Sequence, residues 1–197
     1  MDLETYSSIA PLTPKPAFRF PQGRRYVAVS SSDAPEPVFT DPLTGLWNRR
    51  YLDSELIRSC SLARRRREPL AIVMLNIDQF NVVNDTHGPQ AGDEVLVAVA
   101  DHLRAYTRLE DLIGRLGGDD FVIILAGTDT TGAARVATRL GAAIGRSAIE
   151  SGNGPVHVTV SSGVGSGDGS DPADIIHRAE SSLKAAKAAG GNSVATD

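Results

Sequence analysis

Two short apolar runs, residues 111–116 and 121–125, are joined by Gly117-Gly118-Asp119-Asp120 and read as the arms and bend of a β-hairpin. The chain on either side of that hairpin restricts the fold further. Ahead of it come a β-rich apolar run, Leu70–Ile77, and a helix over 90–108 with Leu96, Val99, Leu103 and Tyr106 on one face. Behind it come a second amphipathic helix over 131–148, through Val136, Leu140 and Ile144, and an alternating strand over 156–164. The order β-α-β-β-α-β predicts an α+β fold built on a ferredoxin-like split βαβ sheet. Helices over 48–67 (Leu52, Leu56 and Cys60 along one side) and 172–189 (Ile176, Ala179, Leu183, Ala186) extend this βαββαβ core at its N- and C-terminal ends.

This topology predicts where polar groups meet. The first core strand ends at the sheet edge where the hairpin turns, so Ile77 and Asp78 come close to Asp119 and Asp120. Acidic side chains beside glycines that expose backbone N–H groups suit a metal-nucleotide site. The same turn has a purely conformational reading, because Gly and Asp are favoured in tight turns anyway.

Composition excludes several classes. A net charge of −4 is the wrong sign for a general nucleic-acid binder. The apolar runs are too short to cross a bilayer, and the acidic start Met1-Asp2-Leu3-Glu4 is unlike a signal peptide. A single cysteine, Cys60, forms no internal disulfide, and the expectation is a cytoplasmic protein without nucleic-acid or membrane partners. Seven of the eleven prolines lie in the first 42 residues, which predicts an extended arm over 1–40, with at most a short strand at 26–29, ahead of a domain over 41–197. No separate sensor domain is expected within the arm. Arg64 to Arg67 read as a solvated last helical turn that complements the helix dipole, with a phosphate or partner contact as the alternative.

Four spaced blocks carry a resemblance. Asp41-Pro42-Leu43-Thr44-Gly45-Leu46-Trp47-Asn48-Arg49-Arg50, then Asn76-Ile77-Asp78-Gln79-Phe80 with Asn84-Asp85, Gly88 and Gly92-Asp93, then Gly117-Gly118-Asp119-Asp120-Phe121, and finally Ala179, Leu183, Ala186-Lys187, Gly190 and Asn192 resemble in order the GGDEF domains of the diguanylate cyclase family. The resemblance implies a cyclase that condenses two GTP into cyclic di-GMP and two pyrophosphates, using Mg²⁺ or Mn²⁺. By the same match Asp119 and Asp120 are catalytic and bind metal together with Asn76 and the Ile77 carbonyl, and Asn84 and Asp93 read guanine. Lys187, Phe80 and Asn81 meet phosphate. One carboxylate can accept the two N–H donors of guanine's Watson–Crick edge, whereas adenine presents a ring acceptor there. Arg108 and Asp111 resemble the family's RxxD product-inhibition site, where arginine pairs with phosphate or stacks on a purine; the alternative is a helix-end salt bridge. Trp47 reads as packing, and Asn48 and Arg49 as a helix start.

The blocks also depart from the family pattern. Asn76 stands where an aspartate is usual, Asp120 for glutamate, Asn81 for lysine, Pro89 for histidine and Gly191 for arginine. Asp120 is one methylene shorter than glutamate, and misplacement on that scale costs roughly a hundredfold in rate. Two readings follow. One is a working, slow cyclase, acting as a weak or ligand-dependent homodimer. The other is a catalytically degenerate domain that binds GTP or cyclic di-GMP as a receptor or regulatory module.

Overall fold

The computed structural model describes residues 39–197, so the arm over 1–38 and the short strand at 26–29 lie outside the described residues. Strand β2 (Leu70–Ile77) is buried at every position because both of its faces are covered. Leu70, Ile72 and Met74 pack under helices α1 (Arg49–Arg66) and α5 (Pro172–Ala188). Ala71, Val73, Leu75 and Ile77 pack under α3 (Pro89–Tyr106) and α4 (Thr130–Arg146). Two-sided burial explains why this strand is a continuous apolar run and not an alternating one. Each such Leu or Ile side chain contributes roughly 1.5–3 kcal/mol by leaving water.

Strands β3 (Leu112–Gly117) and β4 (Asp120–Ala126) form the hairpin, and β5 (Val160–Gly167) lies on the other side of β2. With β1 (Trp47–Asn48) and β6 (Val194–Thr196) at the edges, the sheet runs β1-β3-β4-β2-β5-β6. Its middle four strands have the order of a ferredoxin-like core. Asn48 caps α1 by accepting the Tyr51 amide at 3.1 Å, and Trp47 stacks on Tyr51 with ring centroids 4.0 Å apart, so both act in packing and helix initiation. Arg64, Arg65 and Arg66 form the exposed last turn of α1.

Several elements differ from the sequence reading. The strand read over 156–164 is regular only from Val160, and it continues to Gly167. Val156 forms instead an isolated bridge with Ile149. The glycines that obscure the strand's end are what let α5 lie on it: a Cβ at Gly163 would come 2.0 Å from the Leu183 nitrogen, and one at Gly165 2.3 Å from the Ile175 carbonyl oxygen. A helix absent from the sequence reading, α2 (Phe80–His87), leaves the end of β2 and turns at Gly88 into α3. Pro89 occupies the start of α3, where a missing N–H costs nothing.

Candidate active site

The predicted edge is formed by register. Asn76 lies opposite Asp120 in the β2–β4 ladder, and the Ile77 amide donates to the Asp119 carbonyl at 3.4 Å. Asn76, only 6% exposed, donates through Nδ2 to Asp120 Oδ1 at 2.7 Å. Asp120 is otherwise exposed and Asp119 half-buried. The edge therefore offers oxygen donors of the hard class: two carboxylates, the Asn76 amide oxygen and the Ile77 carbonyl. Among the described residues, no three His, Cys, Asp or Glu side chains gather into a metal-binding group. A donor set with two carboxylates is the chemistry that suits a hard divalent ion such as Mg²⁺ or Mn²⁺.

Asp78 departs from the prediction. Its carboxylate does not join Asp119 and Asp120 but turns to the β5 side, where Thr159 Oγ1 and Ser161 Oγ each donate to it at 2.6 Å. The reason lies in the sheet: β2 is flanked by β4 on one side and β5 on the other.

Helix α2 carries three of the predicted residues. Phe80 and Asn81 form its first turn, and the preceding Gln79, at φ +54°, supplies no side-chain cap to their end of the helix. Asn84 lies over Gly92, where a Cβ would come 2.0 Å from Asn84 Oδ1, so the glycine makes room for the amide. Asp93 follows directly and is exposed, which places Asn84 and Asp93 together where α2 meets α3. Lys187 is exposed in the last turn of α5. That turn returns to the same edge through Asn192, whose amide donates to Asp78 Oδ2 at 2.8 Å. Gly191, at φ +79°, passes so close that a Cβ would lie 3.0 Å from Asp78 Oδ1.

Arg108 and Asp111 stand elsewhere, at the end of β3 far from the hairpin turn. Asp111 Oδ2 accepts the Arg108 main-chain amide at 2.7 Å, and the Asp111 amide donates back to the Arg108 carbonyl at 3.2 Å. Burial pushes the Asp111 carboxyl above its ordinary value, against the opposing pull of the Arg108 amide and the charges of Arg108 and Arg139. Arg139, which the sequence reading did not single out, donates to the Tyr106 carbonyl at 2.6 Å and stands within electrostatic reach of Asp111.

Arg115 also escaped the sequence reading. It grips the turn by donating from Nε and Nη2 to the Gly118 carbonyl at 2.9 and 2.7 Å. Its Nη1 pairs with Asp41 at 3.1 Å, and the two side chains are only 12% and 17% exposed. Burial acts to raise the Asp41 carboxyl, but hydrogen bonds from Thr44 and the Arg115 guanidinium outweigh it and hold the group below its ordinary value. No local pattern announces either arginine, since the Arg115–Asp41 pair and the Arg139–Tyr106 bond join segments distant in sequence.

Residues 38–193 match the family described as diguanylate cyclase, GGDEF domain. The chain is 37% identical over 163 residues to the response regulator PleD of Caulobacter vibrioides, covering 81% of this chain and 36% of PleD. It is 35% identical over 155 residues to the diguanylate cyclase DgcZ of Escherichia coli, covering 77% of this chain and 51% of DgcZ. It thus spans about a third to a half of the length of these relatives. Among solved structures, the GGDEF domain of DgcB from Caulobacter crescentus, in complex with c-di-GMP, superposes with a TM-score of 0.77 at 29% identity, over 83% of this chain and 98% of that one. The active GGEEF domain of a diguanylate cyclase from Vibrio cholerae gives 0.71 at 30%, over 76% and 96%. Sequence match, core topology and signature turn agree: the chain belongs to the GGDEF family of diguanylate cyclase domains.

Proposed function

We propose that this domain binds GTP and that two copies, facing each other, condense two GTP into cyclic di-GMP and two pyrophosphates. The observation that supports this reading is the Asn76–Asp120 pairing at the end of β2, the strand end from which α2 departs to carry Asn84 against Gly92, next to Asp93. Asn84 and Asp93 hold guanine, Asp93 accepting the two N–H donors of its Watson–Crick edge. Phe80 and Asn81, at the start of α2, and Lys187 receive the phosphates. In the reaction the ribose 3′ oxygen of one GTP bonds to the α-phosphorus of the other, and the bond to pyrophosphate breaks. Asp120 takes the 3′ hydroxyl proton. Asp119, Asp120, Asn76 and the Ile77 carbonyl would hold a divalent ion, which would supply charge neutralisation on the phosphoryl oxygens. Because each domain holds one nucleotide, the reaction needs a pair, and the reading includes a homodimer that forms weakly or on ligand binding. Cyclic di-GMP engages Arg108 and Asp111, with Arg139 alongside, as the product-inhibition site.

A second reading has its own support. The Asn76–Asp120 hydrogen bond satisfies at 2.7 Å a carboxylate that a metal would otherwise neutralise. This favours a domain that binds GTP or cyclic di-GMP without turnover and acts as a receptor or regulatory module.

Turnover separates the two. Protein stripped of nucleotide is incubated at high concentration with GTP and Mg²⁺ or Mn²⁺, and products are resolved by chromatography beside an Asp120→Ala control. Cyclic di-GMP from the parent and not from the control establishes the cyclase. No product with either metal, while calorimetry still shows GTP or cyclic di-GMP binding, establishes the receptor.

A further inference from the structure

We infer that Asp78 is a positioning residue that fixes the end of α5, and with it Lys187, against the end of β2; this rests on the GTP reading above. The carboxylate accepts three donors from two segments of the chain. Ser161 Oγ donates to Oδ1 at 2.6 Å, and Thr159 Oγ1 and the Asn192 amide donate to Oδ2 at 2.6 and 2.8 Å. The Asp78 amide in turn donates to the Thr159 carbonyl at 2.9 Å. With both oxygens committed, Asp78 has a structural task beside the metal edge and is not a further ligand of it.

The Asn192 contact connects this carboxylate to the phosphate side. Gly190, Gly191 and Asn192 all have positive φ, at +110°, +79° and +47°. This left-handed run reverses the chain at the end of α5. The Gly190 amide donates to the Lys187 carbonyl at 3.1 Å and the Gly191 amide to the Ala186 carbonyl at 3.2 Å, closing the helix. The next amide, that of Asn192, lies beyond the helix's own acceptors and is taken by Asp78. Beyond it the Ser193 carbonyl accepts the Ser162 amide at 2.9 Å, and β6 joins β5. The turn is thus tied at one end to Lys187 and at the other to the strand that carries Asn76 and Ile77. Asparagine tolerates the left-handed region better than most residues, but the conformation still costs energy, and the carboxylate offsets that cost. Removing Asp78 frees the turn, and Lys187 loses its fixed distance from the hairpin edge while the guanine end stays in place.

The test is calorimetric titration of the full-length chain with GTP and with guanosine, which lacks phosphates, for the parent, Asp78→Ala, Asp78→Asn, Lys187→Ala and the double variant. Asp78→Ala is expected to weaken GTP roughly tenfold, the scale of one charge-assisted hydrogen bond, and to leave guanosine unchanged. Asp78→Asn, which keeps the shape and one oxygen acceptor, falls between the parent and Asp78→Ala. In the Lys187→Ala background Asp78→Ala costs nothing further, and hydrogen exchange at the Asn192 amide speeds up. GTP and guanosine weakening together would mark a general loss of structure and overturn the inference. Additive effects of Asp78→Ala and Lys187→Ala, or unchanged GTP affinity, would overturn it while leaving the GTP reading intact. A parent that binds neither ligand overturns the GTP reading, and this inference with it.

Discussion

Replacing Asn76 with aspartate tests how this edge manages charge. Asn76 Nδ2 and Asp120 Oδ1 are 2.7 Å apart, and Asn76 is 6% exposed, so the substitution puts a carboxylate oxygen where a donor now sits. Two unit charges about 4 Å apart repel by about 4 kcal/mol at an effective dielectric constant of about 20. Asp120 is exposed, which reduces this to about 1 kcal/mol. The lost amide-to-carboxylate bond adds about 1.5 kcal/mol. Asn76→Asp should therefore cost about 2–3 kcal/mol without divalent ions, a fall in melting temperature of roughly 5–10 °C for a domain of this size. A cation that the variant's carboxylates bind at about tenfold below its supplied concentration returns about 1.4 kcal/mol. The assay is thermal unfolding in chelator and in millimolar Mg²⁺, with no nucleotide present. The variant is expected to melt lower in chelator and to recover several degrees with Mg²⁺, while the parent shifts little. A variant as stable as the parent in chelator, or a parent with the same Mg²⁺ gain, would refute the reasoning. Turnover of the same variant then separates the two functional readings, since a rise above the parent shows that Asn76 limits the chemistry.

Asp93→Ala should weaken GTP by roughly tenfold to a hundredfold and narrow the preference for GTP over ATP, because the guanine edge loses its paired acceptor; competition binding reads this. Arg115→Ala should cost about 2 kcal/mol in urea unfolding, since it leaves Asp41 largely buried without its partner and frees the Gly118 carbonyl. Asp41 is held below its ordinary value of 3.8 in the folded state, so its contribution is full above that pH and disappears as pH falls through the folded value. The Asp41→Asn variant should accordingly lose less stability than the parent on acidification. Asp111 is raised above 3.8, so cyclic di-GMP binding that needs its carboxylate should begin to fail on acidification at a higher pH than an unperturbed aspartate would give. Titration of cyclic di-GMP against Asp111→Asn across pH 4 to 7 checks this.

The elements legible in the sequence are those whose burial repeats along the chain. β2 is readable to its last residue because every position is buried, and α4 because buried Leu140 and Ile144, with half-buried Val136, recur at helical spacing. Helix α2 was missed because only Val83 of its eight residues is buried, which leaves too little periodicity to register. β1 and β6 are two and three residues long and exist only by pairing with β3 and β5. The candidate site divides in the same way. The meeting of Ile77 with Asp119 and Asp120 follows from topology, because a strand end and a hairpin turn at one edge must meet, whereas Asn76 enters only through the family resemblance. The direction of Asp78 does not follow, since it depends on which neighbouring strand supplies hydroxyl donors. Arg115 and Arg139 act across 74 and 33 residues of chain, beyond any local signal.

The departures from the family pattern form a connected set. Asn76 removes a negative charge beside Asp120 and replaces it with a donor, so the hairpin edge is satisfied with no cation between the two side chains. Asn81 and Gly191 remove positive charge from the phosphate side. Gly191 is no simple deletion: at φ +79°, with its missing Cβ 3.0 Å from Asp78 Oδ1, it belongs to the turn that Asp78 closes. An arginine there must adopt a left-handed conformation and press the Asp78 carboxylate back by a few tenths of an ångström, so restoring the charge also loads the turn that Asp78 closes. On the GTP reading proposed above, fewer charges around the triphosphate with Asn84 and Asp93 in place put a larger share of the affinity at the guanine end. Hydrogen bonds to a base edge are screened by salt much less than phosphate contacts are. Affinity for GTP should then depend only weakly on ionic strength, and the remaining dependence should follow Lys187.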